Sequence, residues 1–184
     1  MYNVQSAKSD KPKEFETNDL VLYMLCTAGE IKGYTKFHRI AYLANKKLQE
    51  KGYFLKNVNF SEKIFNGPYD EELQKRIEFL GSINYLDNTD IPAFENSKIF
   101  THRLSPKRGG ELRAMQMEHL FEDKKTLKEI KKIVLDLKDK PLDEIDRILD
   151  IKIPEEGYVS IDKLPEGLRE DILRIKKKID EENM

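Results

Sequence analysis

Six consecutive apolar residues, Leu20, Val21, Leu22, Tyr23, Met24 and Leu25, constrain this chain more than any other feature. Thr17 or Asn18 can N-cap a helix beginning there, and Gly29 punctuates the turn beyond it. A helix that is apolar on every side has no face left for water, so it must lie inside other elements. The chain has 184 residues, enough for one domain or for one domain with a small extension. A core of that size needs no disulfide scaffold. Cys26 is the lone cysteine, which excludes an intramolecular disulfide and a cysteine-rich zinc site. No apolar run approaches the ~20 residues of a membrane span, and the first residues lack the apolar core of a signal peptide. A reducing, cytoplasmic setting without membrane contact is the resulting expectation.

The rest of the chain supplies elements to surround that helix. Thr35 caps a second helix in which Phe37, Ile40, Ala41, Ala44 and Leu48 recur at helical spacing, with Gly52 as its stop. Residues 55–65 read as extended chain, with Val58, Phe60 and Ile64 on one side. Pro68 opens a third helix with Leu73, Ile77 and Leu80 facing inward and Gly81 as its stop. Residues 82–87 and 98–104 read as two short strands. A fourth helix begins near Gly110 and reaches Lys138, with a break around 122–124. In its second half Leu127, Ile130, Val134 and Leu137 form an amphipathic seam. Pro141 starts another short helix. A last helix starts near Pro165, with Leu168, Ile172, Ile175 and Ile179 at intervals of 4, 3 and 4. Residues 1–16 are polar and aperiodic and read as a mobile arm.

Helix, helix, helix, strand, strand, helix is the order of a winged helix. In that arrangement the second and third helices form a helix-turn-helix, the strand pair forms the wing, and the strand before the third helix completes a three-stranded edge. The expected fold class is therefore α+β and mostly helical. The expected organisation is an arm at 1–16, a winged-helix-like core at 17–110, a helical extension at 111–150 and an acidic appendage at 151–184. Fold of this kind leaves function open.

Three stretches carry a family resemblance. The first holds Thr35, Lys36, Leu43 and Ala44; the second Phe65, Gly67, Pro68, Tyr69, Glu72 and Leu73; the third Leu104, Ser105 and Lys107, with Arg108 standing before Gly109. Taken in order, this set resembles the YwgA-like proteins and their relatives, the Panacea-domain (SocA-type) antitoxins, over roughly residues 18–150. The resemblance implies a prokaryotic winged-helix-like domain, some of whose members are antitoxins or adaptors that bind proteins. It brings no established catalytic residues.

Charge is plentiful but balanced. Lys and Arg total 33 against 34 Asp and Glu, for a net charge of -1. Charged residues make up 36% of the chain, against about 25% in ordinary domains. Abundant Lys, Glu and Ile with no Trp fits a thermophile, and codon bias alone gives the same composition. A near-neutral chain is not a strongly basic nucleic-acid coat. The balance is uneven, however: residues 139–184 hold 9 basic and 14 acidic side chains, leaving 24 basic and 20 acidic in 1–138.

Two basic clusters are candidates for phosphate contact. Lys36, Arg39, Lys46 and Lys47 share the polar face of the second helix, where a solvated surface explains them equally. Arg103, Lys107, Arg108 and Arg113 crowd the exit from the second wing strand. There Gly109 and Gly110 either admit a partner's backbone or simply make the turn. The third helix opposes ordinary major-groove docking, because Asp70, Glu71 and Glu72 fill its first turn. Those carboxylates suit the helix dipole without any ligand. Lys8, Lys11 and Lys13 of the arm offer another route to a duplex. His38, on the polar side of its helix, His102 and His119 match no metal-ligand spacing. No phosphate loop, nucleophile elbow or zinc-protease motif occurs.

The expectation is a small transcriptional regulator, not an enzyme and without a cofactor. It would bind double-stranded DNA through Lys36, Arg39, Lys46, Lys47, Arg103, Lys107 and Arg108. A homodimer is expected, built on the 127–137 seam or the terminal stripe and extended by Met115, Met117, Leu120 and Phe121, although packing within one chain uses the same residues. The rival is a protein-binding module, antitoxin- or adaptor-like, with no nucleic-acid role.

Overall fold

A computed structural model describes residues 13–60, 67–92 and 100–150. Its elements in chain order are β1 (Lys13–Phe15), α1 (Thr17–Ala28), β2 (Ile31–Lys32), α2 (Tyr34–Glu50) and β3 (Tyr53–Leu55). There follow α3 (Glu71–Ser82), β4 (Leu86–Pro92), β5 (Phe100–Pro106), α4 (Arg108–Leu120), α5 (Lys124–Leu137) and α6 (Leu142–Ile148). The class is α+β, with helices dominating and two small sheets among the described residues.

Helix α1 is the centre of the molecule. Every residue from Leu20 to Leu25 is buried, and α3, α4 and α5 pack around it, as the unbroken apolar run requires. The Tyr23 hydroxyl donates to the Leu127 carbonyl at 3.1 Å, and burial pushes that phenol up to about 12. The 127–137 seam is spent inside the chain: Leu127, Ile130, Val134 and Leu137 join the same core as α1 and α2. Ala114 and Met117 of α4 join it too. The core therefore runs continuously across residue 110, where the extension was expected to begin. Met117 is buried, while Met115 and Leu120 stay exposed.

Gly110 explains how closely α4 approaches. A Cβ at that position would sit 2.1 Å from the Tyr85 carbonyl oxygen and 2.9 Å from Leu22. The glycine thus admits the chain's own backbone.

One sheet has the order β2-β5-β4, all antiparallel, with Ile31 opposite Leu104 and Asp87 opposite Ser105. The third strand of this sheet is β2, from between the first two helices, and not the stretch before α3. Of that stretch, expected at 55–65, only Leu55 lies in a strand among the described residues, at the end of β3, which pairs in parallel with β1, and residues 61–65 lie outside the described residues. Asn57 takes φ 61, a left-handed conformation a strand cannot continue through. Val58 and Phe60 then pack on the core as irregular chain. Residues 13–15, read as part of the arm, form β1.

The hairpin is shifted along the chain. Gly81 lies within α3, and the turn comes at Asn84, with φ 63. Of the residues 82–87 read as the first wing strand, Ser82 ends α3, 83–85 make the turn, and Leu86 and Asp87 open β4. At the other end, α3 begins after Asp70, whose carboxylate accepts from the Leu73 amide at 2.6 Å and the Asn59 amide at 2.7 Å. The acidic first turn is thus partly a cap. The expected helix near Pro165 and the appendage 151–184 lie outside the described residues, as do residues 1–12.

Candidate interaction surface

The cations of α2 do not form an open face. Phe37, Ile40, Ala41 and Ala44 of α2 are buried in the core, and α5 and α6 pack against the helix, with Arg39 buried and Lys36 half-buried while Lys46 stays exposed. Lys36 is half-buried and donates from Nζ to the Lys138 carbonyl at 3.3 Å. Burial holds its pKa below the ordinary lysine value, against the pull of Asp139. Lys138 in turn donates to the Ala28 carbonyl at 3.0 Å, tying the end of α5 to the end of α1.

Arg39 departs furthest from expectation. Its side chain is 1% exposed and forms an ion pair with Asp146, which is 0% exposed. The expectation of a phosphate contact from Arg39 is therefore overturned, because nothing outside the molecule reaches this guanidinium. Asp146 lies in α6, so the pair clamps the last described helix onto α2.

Lys46 and Lys47 stand near the other end of α2, about 15 Å along the axis from Lys36 at 1.5 Å per residue. The Lys46 ammonium lies 4.5 Å from the centre of the Tyr42 ring, and Lys47 pairs with Glu50. The wing-side cations are also paired. Arg103 on β5 reaches Asp87 at 3.5 Å and Glu30 at 4.0 Å. Lys107 donates to Asn84 at 2.8 Å and lies 3.8 Å from Asp87. Arg108, the first residue of α4, is exposed. Arg113 binds Asp19 through two hydrogen bonds, at 2.7 and 2.9 Å. Asp87 and Asp19 thus take up charges that sequence proximity had grouped into one patch.

The histidines have structural settings. His38 is buried, not on a polar face. Its Nδ1 accepts from the Asp70 amide at 3.3 Å and its Nε2 meets Gln74 Oε1 at 3.3 Å, while the ring stacks on Tyr69 at 4.4 Å. These contacts require the neutral ring with its proton on Nε2, and burial lowers its pKa. His102 lies 2.8 Å from Asp90 across the hairpin and packs on Tyr34 at 4.1 Å. Among the described residues no group of His, Cys, Asp or Glu is placed to hold a metal ion. None of their helices is long and apolar enough to cross a membrane.

What the structure adds is a groove. It runs between α2, α5 and α6, encloses about 630 Å³ and has Leu43, Ile133, Leu137 and Ile148 on its walls. Lys46, Lys47 and Lys140 stand along it with Glu50 and Asp136. Ile148 is 52% exposed, so one wall offers an apolar surface to solvent. The sequence carried a trace of this groove: Leu43 and Ile133 fall outside the inward stripes of their helices. Their convergence depends on the α2–α5 packing, which no local pattern reveals. A second apolar strip, Leu112, Met115 and Leu120, lies exposed on α4.

No protein-family model matches the chain, and no solved structure matches it.

Proposed function

We propose that the chain is a protein-binding module on a winged-helix-type scaffold, and that the α2/α5/α6 groove receives an amphipathic helix of a protein partner. The order α1, β2, α2, α3, β4, β5 and the sheet order β2-β5-β4 support that scaffold. One observation carries the choice of partner: among the α2 cations Arg39 is buried against Asp146 of α6 and Lys36 is half-buried, leaving Lys46 and Lys47 at the far end of the helix, beside the groove. A duplex needs a continuous run of free cations to displace its counterions. Here Arg103, Lys107 and Arg113 already face carboxylates, and α3 begins with Asp70, Glu71 and Glu72. A concave channel between two helices, apolar inside and charged at its edge, suits helix-in-groove recognition. The resemblance to YwgA-like and Panacea-domain proteins fits the same reading. Its Gly67, Pro68, Leu73, Ala44 and Leu104 are all buried, so those matches report the scaffold.

Titrating the full chain into a labelled random-sequence duplex at about 50 mM salt tests this, with fluorescence anisotropy as the readout. The expected result is no saturation. Saturable binding that weakens steeply with added salt would restore the regulator reading. A stoichiometric partner, if captured, should be lost from Ile148→Glu and kept by Leu120→Glu.

A further inference from the structure

We propose that the C-terminal segment around residues 165–180 of the same chain seats in the α2/α5/α6 groove and so competes with a partner for it. The inference rests on the groove being the docking site. Asp150 is the last described residue, two positions beyond Ile148 in the groove wall, and 34 residues follow it. The chain therefore leaves the described fold at the groove itself.

Length and pattern agree with this occupant. In the helix expected from the sequence pattern, Ile172 and Ile179 would be seven positions apart, a rise of about 10 Å, with Ile175 between them. Leu43 to Glu50 on one wall spans the same interval, as does Ile133 to Lys140 on the other. Laid between α2 and α5, the stripe would cover Leu43, Ile133 and Ile148, which the described residues leave partly open. Fourteen residues, 151–164, separate α6 from Pro165. At ~3.3–3.6 Å per residue they place no limit on reaching the groove. A tether of that length holds the segment at an effective concentration on the order of millimolar, so modest affinity suffices for occupancy. Charge does not steer this contact, because residues 165–180 carry 5 basic and 4 acidic side chains and would lie beside Lys46, Lys47 and Lys140, so the apolar stripe and the tether supply the affinity.

Lysine-specific cross-linking of the full chain at low micromolar concentration, read by mass spectrometry, tests the contact without any partner. Lys176, Lys177 and Lys178 should link to Lys46, Lys47 and Lys140 within monomers. Ile148→Glu, at an exposed position, and Ile172→Glu should each cut those links at least fivefold while the circular dichroism spectrum stays unchanged. Links of undiminished yield in both variants would mean a passing tail and would overturn the proposal. So would links found only in cross-linked dimers, which would assign the groove to a second copy, or links confined to α4. The duplex titration and the partner test bear on the module reading alone, so the two can fail separately.

Discussion

Replacing Asp146 by Asn removes a charge that the structure sets directly against buried Arg39. Both side chains are almost fully enclosed, at 1% and 0% exposure, so the guanidinium would lose this counter-charge where water cannot replace it. Breaking a buried pair in this way costs about 3–5 kcal/mol. At 1.4 kcal/mol per decade that is a hundred- to several-thousandfold loss in the folded-to-unfolded ratio, and roughly 6–20 °C in Tm for a chain of this size. Helix α6 is short, so part of the penalty can be escaped by detaching it. Hydrogen exchange in residues 142–148 should then rise before global unfolding. Urea denaturation with exchange mass spectrometry reads both routes. Enclosure also predicts that the loss is nearly the same at ~50 mM and ~1 M salt, since ions do not screen a pair they cannot approach. The double variant Arg39→Met with Asp146→Leu should recover most of the stability, because apolar side chains of similar volume fill such sites without the desolvation cost. A surface pair would behave otherwise, costing about 1 kcal/mol or less and fading with salt. If Asp146→Asn shifts stability by less than about 0.5 kcal/mol and leaves α6 exchange unchanged, the burial of Arg39 is refuted. The phosphate-contact role would then be open again.

Three further outcomes follow from the packing. His38 is held neutral, so its folded pKa lies below the ordinary value near 6.5 and the unfolded chain takes up the proton first. Its contribution is complete above about pH 6.5 and is lost as pH falls towards the folded pKa, so urea midpoints should drop across that window, and His38→Gln should flatten the drop. Gly110→Ala should destabilise by roughly 2–4 kcal/mol, because its Cβ would meet the Tyr85 carbonyl and Leu22, whereas Gly109→Ala, facing only the Tyr85 ring at 3.2 Å, should cost far less. Burial, and then Glu111, push the Cys26 thiol up to about 11. Alkylation at pH 8 should run at least about tenfold slower in the folded than in the urea-unfolded chain.

Local pattern carried much of the fold. The run at residues 20–25 demanded a central helix, and the 3-4-3 spacing of Leu127, Ile130, Val134 and Leu137 gave α5 one apolar face, without saying whether that face met α1 or a second chain. Those signals are local because a buried helix must be apolar wherever it touches protein. Strand positions were harder to read. Val58 and Phe60 alternate as a strand would, yet the backbone at Asn57 turns away and their burial is achieved by irregular chain. Gly81 looks like a helix stop, but Asn84 supplies the left-handed turn instead. In both places one residue's backbone conformation overrode a hydrophobic pattern, and asparagine gives only a weak advance sign of doing so.

The basic face of α2 was misread for a different reason. Lys36, Arg39, Lys46 and Lys47 have the spacing of a solvated face, and an arginine with a buried partner is identical in local sequence to one facing water. What separates the two cases is Asp146, 107 positions away. Its α6 also supplies Ile148 to the groove, so one short helix both removes Arg39 from the surface and completes the groove. The two functional readings are thereby coupled through α6. A chain in which α6 detached would expose Arg39 beside Lys36, gaining cations while losing a wall of its apolar channel. Under conditions that release α6, duplex affinity should therefore rise as helix binding falls. Asp146→Asn tests that link directly, and a variant that gained duplex binding while keeping an intact groove would break it.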